Sequence, residues 1–114
     1  MTAAVARIVR AAPVFAALGD ETRLEIVARL SAGGPQSIVR LTEQARVSRQ
    51  AVTKHLVALE AAGLVRSRRD GRERVWEIQP KRLADARSYL DRISDQWDEA
   101  IERLRATVED GDAR

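Results

Sequence analysis

The sequence predicts a mainly helical chain carrying one small β-hairpin, and three observations lead there. Between Ser37 and Ile78, two short helical patterns joined by a tight turn run into an arginine-rich segment interrupted by Asp70-Gly71. Upstream, two apolar-periodic stretches are bounded by Pro13, Gly19, Asp20 and the Gly33-Gly34-Pro35 stop. Downstream of Pro80, apolar residues recur at intervals of three and four to Val108. Such intervals place side chains on one helical face, whereas alternation marks a strand.

From the start, Ala3 to Ala12 is alanine-rich, with Val5, Ile8 and Val9 as apolar positions. Pro13 suits the first turn of a renewed helix, where its missing N–H costs nothing. Phe15 and Leu18 are expected to bury before Gly19 ends the segment. Val5, Ile8, Val9 and Phe15 have two readings, a subunit contact or plain core packing. Asp20 is a good N-cap for a helix from Glu21 to about Ala32, because its carboxylate can accept from an unpaired N–H of the first turn. Leu24, Ile26, Val27 and Leu30 supply its inward face; Arg23 and Arg29 read as surface charges or local ion pairs.

Ser37 caps a third helix, Ile38 to Ala45. Arg46, Val47 and Ser48 make the turn, and Ser48 caps a fourth helix that runs to Ala62. Gly63 follows, fitted for the left-handed residue after a helix end. In the fourth helix Val52, Leu56 and Leu59 form the inward stripe. The opposite arc holds Gln50, Thr53, Lys54 and Val57, with Arg49 on its shoulder. Beyond it, Leu64 to Ile78 is expected to form a hairpin with Asp70-Gly71 as the central residues of its turn. Trp76 and Ile78 would face the helices, leaving Arg66, Arg68, Arg69, Arg72 and Arg74 exposed. A helix-turn-helix over 37–62 followed by a basic hairpin over 64–78 is a winged helix.

Pro80 resets the chain, and a long helix is predicted from Lys81 to about Glu109, with 110–114 as a disordered tail. Its apolar stripe is Leu83, Ala86, Leu90, Ile93, Trp97, Ile101, Leu104 and Val108, close to a heptad pattern. At 1.5 Å per residue this rod is about 43 Å long, more than a domain of this size can cover alone. The stripe predicts a partner helix, most simply the same helix of a second subunit about a two-fold axis. Val5, Ile8, Leu90, Ile93, Trp97, Ile101 and Leu104 are therefore the expected dimerisation residues, and 1–19 and 81–109 the dimerisation segments.

Composition bounds the function. The 114 residues, 32% charged and 45% hydrophobic, suit a single soluble domain. The chain has no cysteine, which removes disulfides, thiolate metal sites and thiol redox sensing. No apolar run approaches a membrane span and no signal-peptide pattern occurs, so the chain is expected in the cytoplasm, away from membranes. The net charge is only +3, but between Arg46 and Trp76 there are 8 Lys and Arg against 3 Asp and Glu. From residue 81 onward the balance is 7 against 9. A basic patch beside an acidic tail points to a polyanionic partner for the helix-turn-helix and hairpin.

The side chains on that patch have the chemistry of base reading. Arg can donate two hydrogen bonds to guanine, Gln can pair with adenine, and Thr offers a hydroxyl and a methyl that fits against thymine. Helix-turn-helix readers contact bases from the N-terminal part of the second helix. The expected DNA-binding residues are thus Ser48, Arg49, Gln50, Thr53 and Lys54, with Arg68, Arg69, Arg72 and Arg74 of the hairpin for phosphate. Two other classes compete. A winged-helix protein-interaction module would present the same basic surface to an acidic partner. An enzyme lacks its materials here, with no cysteine, one histidine and no phosphate-cradling glycine loop.

Three motifs then occur in order: Phe15-Ala-Ala-Leu-Gly-Asp-Glu-Thr-Arg-Leu-Glu-Ile-Val27, Ser48-Arg-Gln-Ala-Val-Thr-Lys-His-Leu-Val-Ala-Leu-Glu-Ala-Ala-Gly-Leu-Val65, and the Arg-Arg-Asp-Gly-Arg run at 68–72. Together they resemble the ArsR-type family of bacterial winged-helix repressors over nearly the whole chain. The resemblance implies a homodimer that occupies an operator near a promoter and blocks transcription. Many members sense metals through cysteines on the first helix of the helix-turn-helix, or through carboxylate and histidine ligands on the last helix. Here the first place reads Val39-Arg40-Leu41-Thr42-Glu43 and the last helix has no histidine, so neither metal site is expected, nor any cofactor. His55, alone of its kind, is read as structural, since zinc takes three or four protein ligands. Asp91, Asp95, Asp98 and Glu102 read as solvated helix charges. An unidentified small-molecule inducer stays open, with Trp76, Tyr89 and Trp97 either lining its pocket or packing in the core.

Overall fold

A computed structural model describes residues 2–112. The elements are α1 (Ala3–Leu18), α2 (Glu21–Gly33), β1 (Gln36–Ser37), α3 (Ile38–Glu43), α4 (Arg49–Ala61), β2 (Val65–Asp70), β3 (Glu73–Ile78) and α5 (Pro80–Asp112). The strands form one antiparallel sheet in the order β1-β3-β2. The mainly helical winged-helix expectation holds. The two-residue β1, which pairs Gln36 with Trp76 and Ser37 with Val75, was not expected. A segment that short has no periodicity of its own, and Ser37 was already assigned as a cap; it serves as both, its hydroxyl accepting from the Arg40 N–H at 3.2 Å.

Caps explain most boundaries. The Asp20 carboxylate accepts from the Arg23 N–H at 3.0 Å to start α2, and Ser48 accepts from the Ala51 N–H at 3.2 Å to start α4. At the end of α4, Gly63 takes φ +78° and its N–H reaches the Glu60 carbonyl, while the Leu64 N–H reaches the Leu59 carbonyl. This is the double closure that a left-handed residue permits. A Cβ at Gly63 would also lie 2.8 Å from Arg82 Cγ, so the position locks the start of α5 as well.

Several boundaries differ from expectation. Pro13 does not begin a new helix: α1 is continuous through it, with Ala11, Val14 and Ala17 buried on either side. A proline inside a helix removes one i→i−4 hydrogen bond, and here the packing of the alanine-rich flanks offsets that loss. α3 stops at Glu43 rather than Ala45, and the turn is lengthened to residues 44–48. Arg29 holds that turn by donating to the Gln44 carbonyl at 2.5 Å. Leu24, expected to be buried, is 51% exposed, because Ile26 and Leu30 take the inward face of α2.

The core is one cluster. Ile26, Leu30, Leu41, Val52, Leu56, Leu59, Leu64 and Val65 are buried at its centre, with Val14 of α1, Trp76 of β3 and Ala86 of α5 joining from the edges. Phe15 packs against this cluster and meets Tyr89 edge to face, with ring centroids 5.6 Å apart. It thus packs between α1 and α5 of its own subunit, as the core-packing reading of that residue expects. Arg23 stitches α1 to α2 through a 2.6 Å hydrogen bond from Nε to the Ala17 carbonyl.

α5 leaves the body. It runs through Asp112, past the expected end at Glu109; of the residues read as a tail, 110–112 are helical and 113–114 lie outside the described residues. Its 33 residues give a rod of about 50 Å. The radius of gyration is 19.7 Å, against ~13 Å for a compact domain of this length.

Candidate nucleic-acid interface

The helix-turn-helix positions α4 by its apolar stripe. Val52, Leu56 and Leu59 are completely buried, so the rotation of the helix about its axis is set by the core. Side chains on the other arc must then point to solvent, and Arg49, Gln50, Thr53, Lys54 and Val57 all do. Among the described residues neither Arg49 nor Lys54 has a carboxylate partner. Ser48 is also exposed, with its oxygen engaged as the cap. Thr53 donates its hydroxyl proton to the Arg49 carbonyl at 2.9 Å. It therefore keeps only lone pairs and its methyl group for anything outside.

His55 lies at the edge of the buried stripe, half-buried, with Nδ1 3.9 Å from Asp20 Oδ1. The Asp20 carboxyl is held below the ordinary value of 3.8, first by the hydrogen bond from the Arg23 N–H and then by the charges of His55 and Arg23. This links the start of α2 to the middle of α4. Among the described residues no three His, Cys, Asp or Glu side chains gather as a metal site.

In the hairpin, the paired residues Asp70 and Glu73 enclose a two-residue turn, Gly71-Arg72. The expected central pair, Asp70-Gly71, is thus shifted by one residue. Gly71 has φ +65° and no described residue other than glycine has positive φ, so only the first central position is left-handed. That is the type II′ pattern, whereas Asp-Gly at the centre would have required positive φ at both.

The arginines are not equivalent. Arg66 and Arg68 both grip the Glu77 carboxylate, at 2.8 Å and 3.3 Å, and lower Glu77 from its ordinary value of 4.5, the Arg66 hydrogen bond being the larger cause. Arg74 donates to Ser67 Oγ at 2.9 Å. Arg69 and Arg72 have no side-chain partner among the described residues. Arg69 and Arg74 stand directly opposite each other across the strands, and on the other face so do Asp70 and Glu73. Like charges directly opposite are unfavourable for a sheet, so folding does not account for the arginine pair. Glu77 was not singled out in the sequence; its role depends on register, which pairs it with Arg66.

The aromatic residues do not converge. Trp76 is in the core, Tyr89 is against Phe15, and Trp97 stands 65% exposed far along α5. Leu90, Ile101, Leu104 and Val108 are likewise exposed on α5, as are Val5 and Val9 on α1; Ile8 and Ile93 are half-buried. No helix among the described residues is long and apolar enough to cross a membrane.

A helix-turn-helix whose second helix presents Arg, Gln, Thr and Lys, flanked by a basic three-stranded wing, defines a DNA-binding transcription regulator. Comparison with known proteins agrees. Residues 18–68 match the model of a helix-turn-helix domain family. The chain is 44% identical over 85 residues to the HTH-type transcriptional regulator Rv2034 of Mycobacterium tuberculosis, covering 75% of this chain and 76% of that protein. It is also similar in structure to an ArsR-like transcriptional regulator from Rhodococcus sp. RHA1, with a TM-score of 0.72, 41% identity, and coverage of 85% of this chain and 91% of that one. The homodimeric winged helix-turn-helix DNA-binding domain Mb0332 from Mycobacterium bovis shares the fold, with a TM-score of 0.64 at 24% identity over 84% of this chain and 88% of that one. The chain belongs to the ArsR-type family of winged helix-turn-helix transcriptional regulators, and it carries none of the cysteines used for metal binding.

Proposed function

We propose that this regulator is a homodimer that binds an imperfect palindromic operator in the cytoplasm and represses transcription from it. The observation that carries the reading is the uncovered apolar stripe of α5, from Leu90 through Trp97, Ile101 and Leu104 to Val108, on a rod that outruns its own body. Apolar surface of that extent is stable when another helix covers it, and an identical helix about a two-fold axis is the simplest cover. Val5 and Ile8 of α1 border the same contact. The Mycobacterium bovis domain of the same fold is homodimeric, which supports the dimer.

A two-fold axis gives the reading heads a spacing. Two copies of α4 would enter successive major-groove faces about 34 Å apart, and the operator would mirror that symmetry. Arg49 and Gln50 would read base edges, with Ser48, Thr53 and Lys54 beside them. In the wing the four arginines would divide the work. Arg69 and Arg72, without side-chain partners among the described residues, would take phosphate directly; Arg74 would complete the Arg69 pair, and Arg68, already on Glu77, would add charge from behind. An anion between Arg69 and Arg74 would relieve the repulsion that the sheet otherwise carries.

The test is selection of genomic fragments by the purified protein, followed by light scattering of the free and bound forms and transcription across the selected site. The expected results are a dimeric mass, half-sites one helical turn apart, and reduced transcription. Affinity should fall steeply with salt, since each phosphate contact releases counterion. A protein that binds scrambled duplex as well as the selected one is instead an interaction module for acidic partners, and the reading is lost.

A further inference from the structure

We infer that α4 carries an apolar thymine-reading patch, made of the Val57 side chain and the Thr53 methyl, beside its polar base-reading residues. The inference rests on the DNA-binding reading above and specifies what that surface recognises. Val57 is 56% exposed, and it is the one large exposed hydrophobic residue on α4. The other large exposed hydrophobic side chains among the described residues lie on α1, α2, α3 and α5, so Val57 stands apart from the stripe that a second subunit would cover. Nor does helix formation call for it: a β-branched residue is a poorer choice than alanine at an exposed helical position. It sits among the residues that face the groove, one turn after Thr53 and three residues after Lys54.

Thr53 strengthens the case. Because its hydroxyl proton is given to the Arg49 carbonyl, it cannot donate to a base acceptor, and the methyl becomes its distinctive outward feature. Residues four apart on a helix have Cβ atoms about 5–6 Å apart, so the two side chains present one continuous apolar surface. In the major groove the only apolar feature of any base pair is the C5-methyl of thymine. From Gln50 to Val57 the helix rises about 10 Å, or about three base steps at 3.4 Å each. The thymine should therefore lie two to three pairs from the base that Gln50 reads.

The experiment replaces each thymine of the selected operator, one at a time, by deoxyuridine, which removes the methyl and leaves the hydrogen-bonding pattern intact. Wild-type protein should lose about fourfold in affinity at one thymine per half-site, the value of one buried methyl-sized group. That ratio should fall to about one in Val57→Ala and shrink in Thr53→Ser, while the far-ultraviolet spectrum of both variants stays that of the wild type. If wild-type protein prefers the operator but no thymine responds, or if Val57→Ala keeps the full response, the patch does not exist although the regulator reading survives. If wild-type protein makes no distinction between operator and scrambled DNA, the reading beneath the inference fails with it.

Discussion

α4 and the outer part of α5 are both amphipathic helices with apolar residues every three or four positions, yet they end in opposite environments. In α4 the stripe Val52, Leu56 and Leu59 is completely buried, whereas in α5 Trp97 and Leu104 are each 65% exposed. The difference is not in the periodicity. It lies in what stands opposite: α1, α2, α3 and the wing close around α4, while α5 is covered over its first half, through Leu83, Ala86 and Tyr89, and its large apolar residues beyond Ile93 are bare. An apolar stripe thus states a need for cover, and chain topology decides whether the same subunit meets it.

Truncation should separate the two stripes most sharply. Leu56→Ala leaves a cavity at the centre of the cluster and should cost about 2–5 kcal/mol, read as a lower denaturation midpoint; a loss below 1 kcal/mol would show that the centre is loosely packed. Trp97→Asp combined with Leu104→Asp should convert the proposed dimer to a monomer, since anchors of this kind are worth about 2 kcal/mol or more each. A dimeric mass that survives the double substitution would mean that α5 is covered by something other than its own copy. On the outward arc of α4, Gln50→Ala should cost about 1–3 kcal/mol on the selected operator and relax its preference, with folding unaffected. Equal losses on operator and scrambled DNA would remove Gln50 from the readers. Ser48→Ala should lower stability by about 1 kcal/mol, because the cap holds the start of α4.

The smallest effect is expected in acid. Folding lowers the Glu77 carboxyl below 4.5 through its Arg66 and Arg68 partners, so the native state binds its proton less readily than the unfolded chain. The associated stability is present above about pH 4.5 and is lost as the pH falls through the lower folded value. Glu77→Gln should flatten the pH dependence of the melting temperature in that window, and an unchanged slope would assign the acid response to other carboxylates such as Asp20.

Much of the fold could be read from local chemistry. Asp20, Ser37 and Ser48 announced their helices because a cap depends on one side chain and the N–H three residues on. Gly63 announced an end because only glycine accepts that φ cheaply. The hairpin was recognisable from Asp70-Gly71, but its turn fell one residue later, since register is decided by how Val65, Trp76 and Ile78 meet the core and not by the dipeptide. β1 was invisible for a similar reason: two residues become a strand only when a neighbouring strand is already in place. Leu24 stays exposed because α2 has more apolar positions than its neighbours cover.

The candidate interface divides along the same line. The outward arc of α4 followed from sequence alone, because 100° per residue relates every side chain to the buried stripe. Which wing arginines are free did not follow, since the grip of Arg66 and Arg68 on Glu77 joins residues 9 and 11 apart in the chain. By itself, then, the amino-acid order determined the helices, their caps, most of their inward faces and the basic character of the candidate interface, all set by interactions within a few residues. Only the tertiary structure decided the strand register, the continuity of α1 through Pro13, the pairing of the wing charges and the exposure of α5, because each depends on which distant surfaces are brought together.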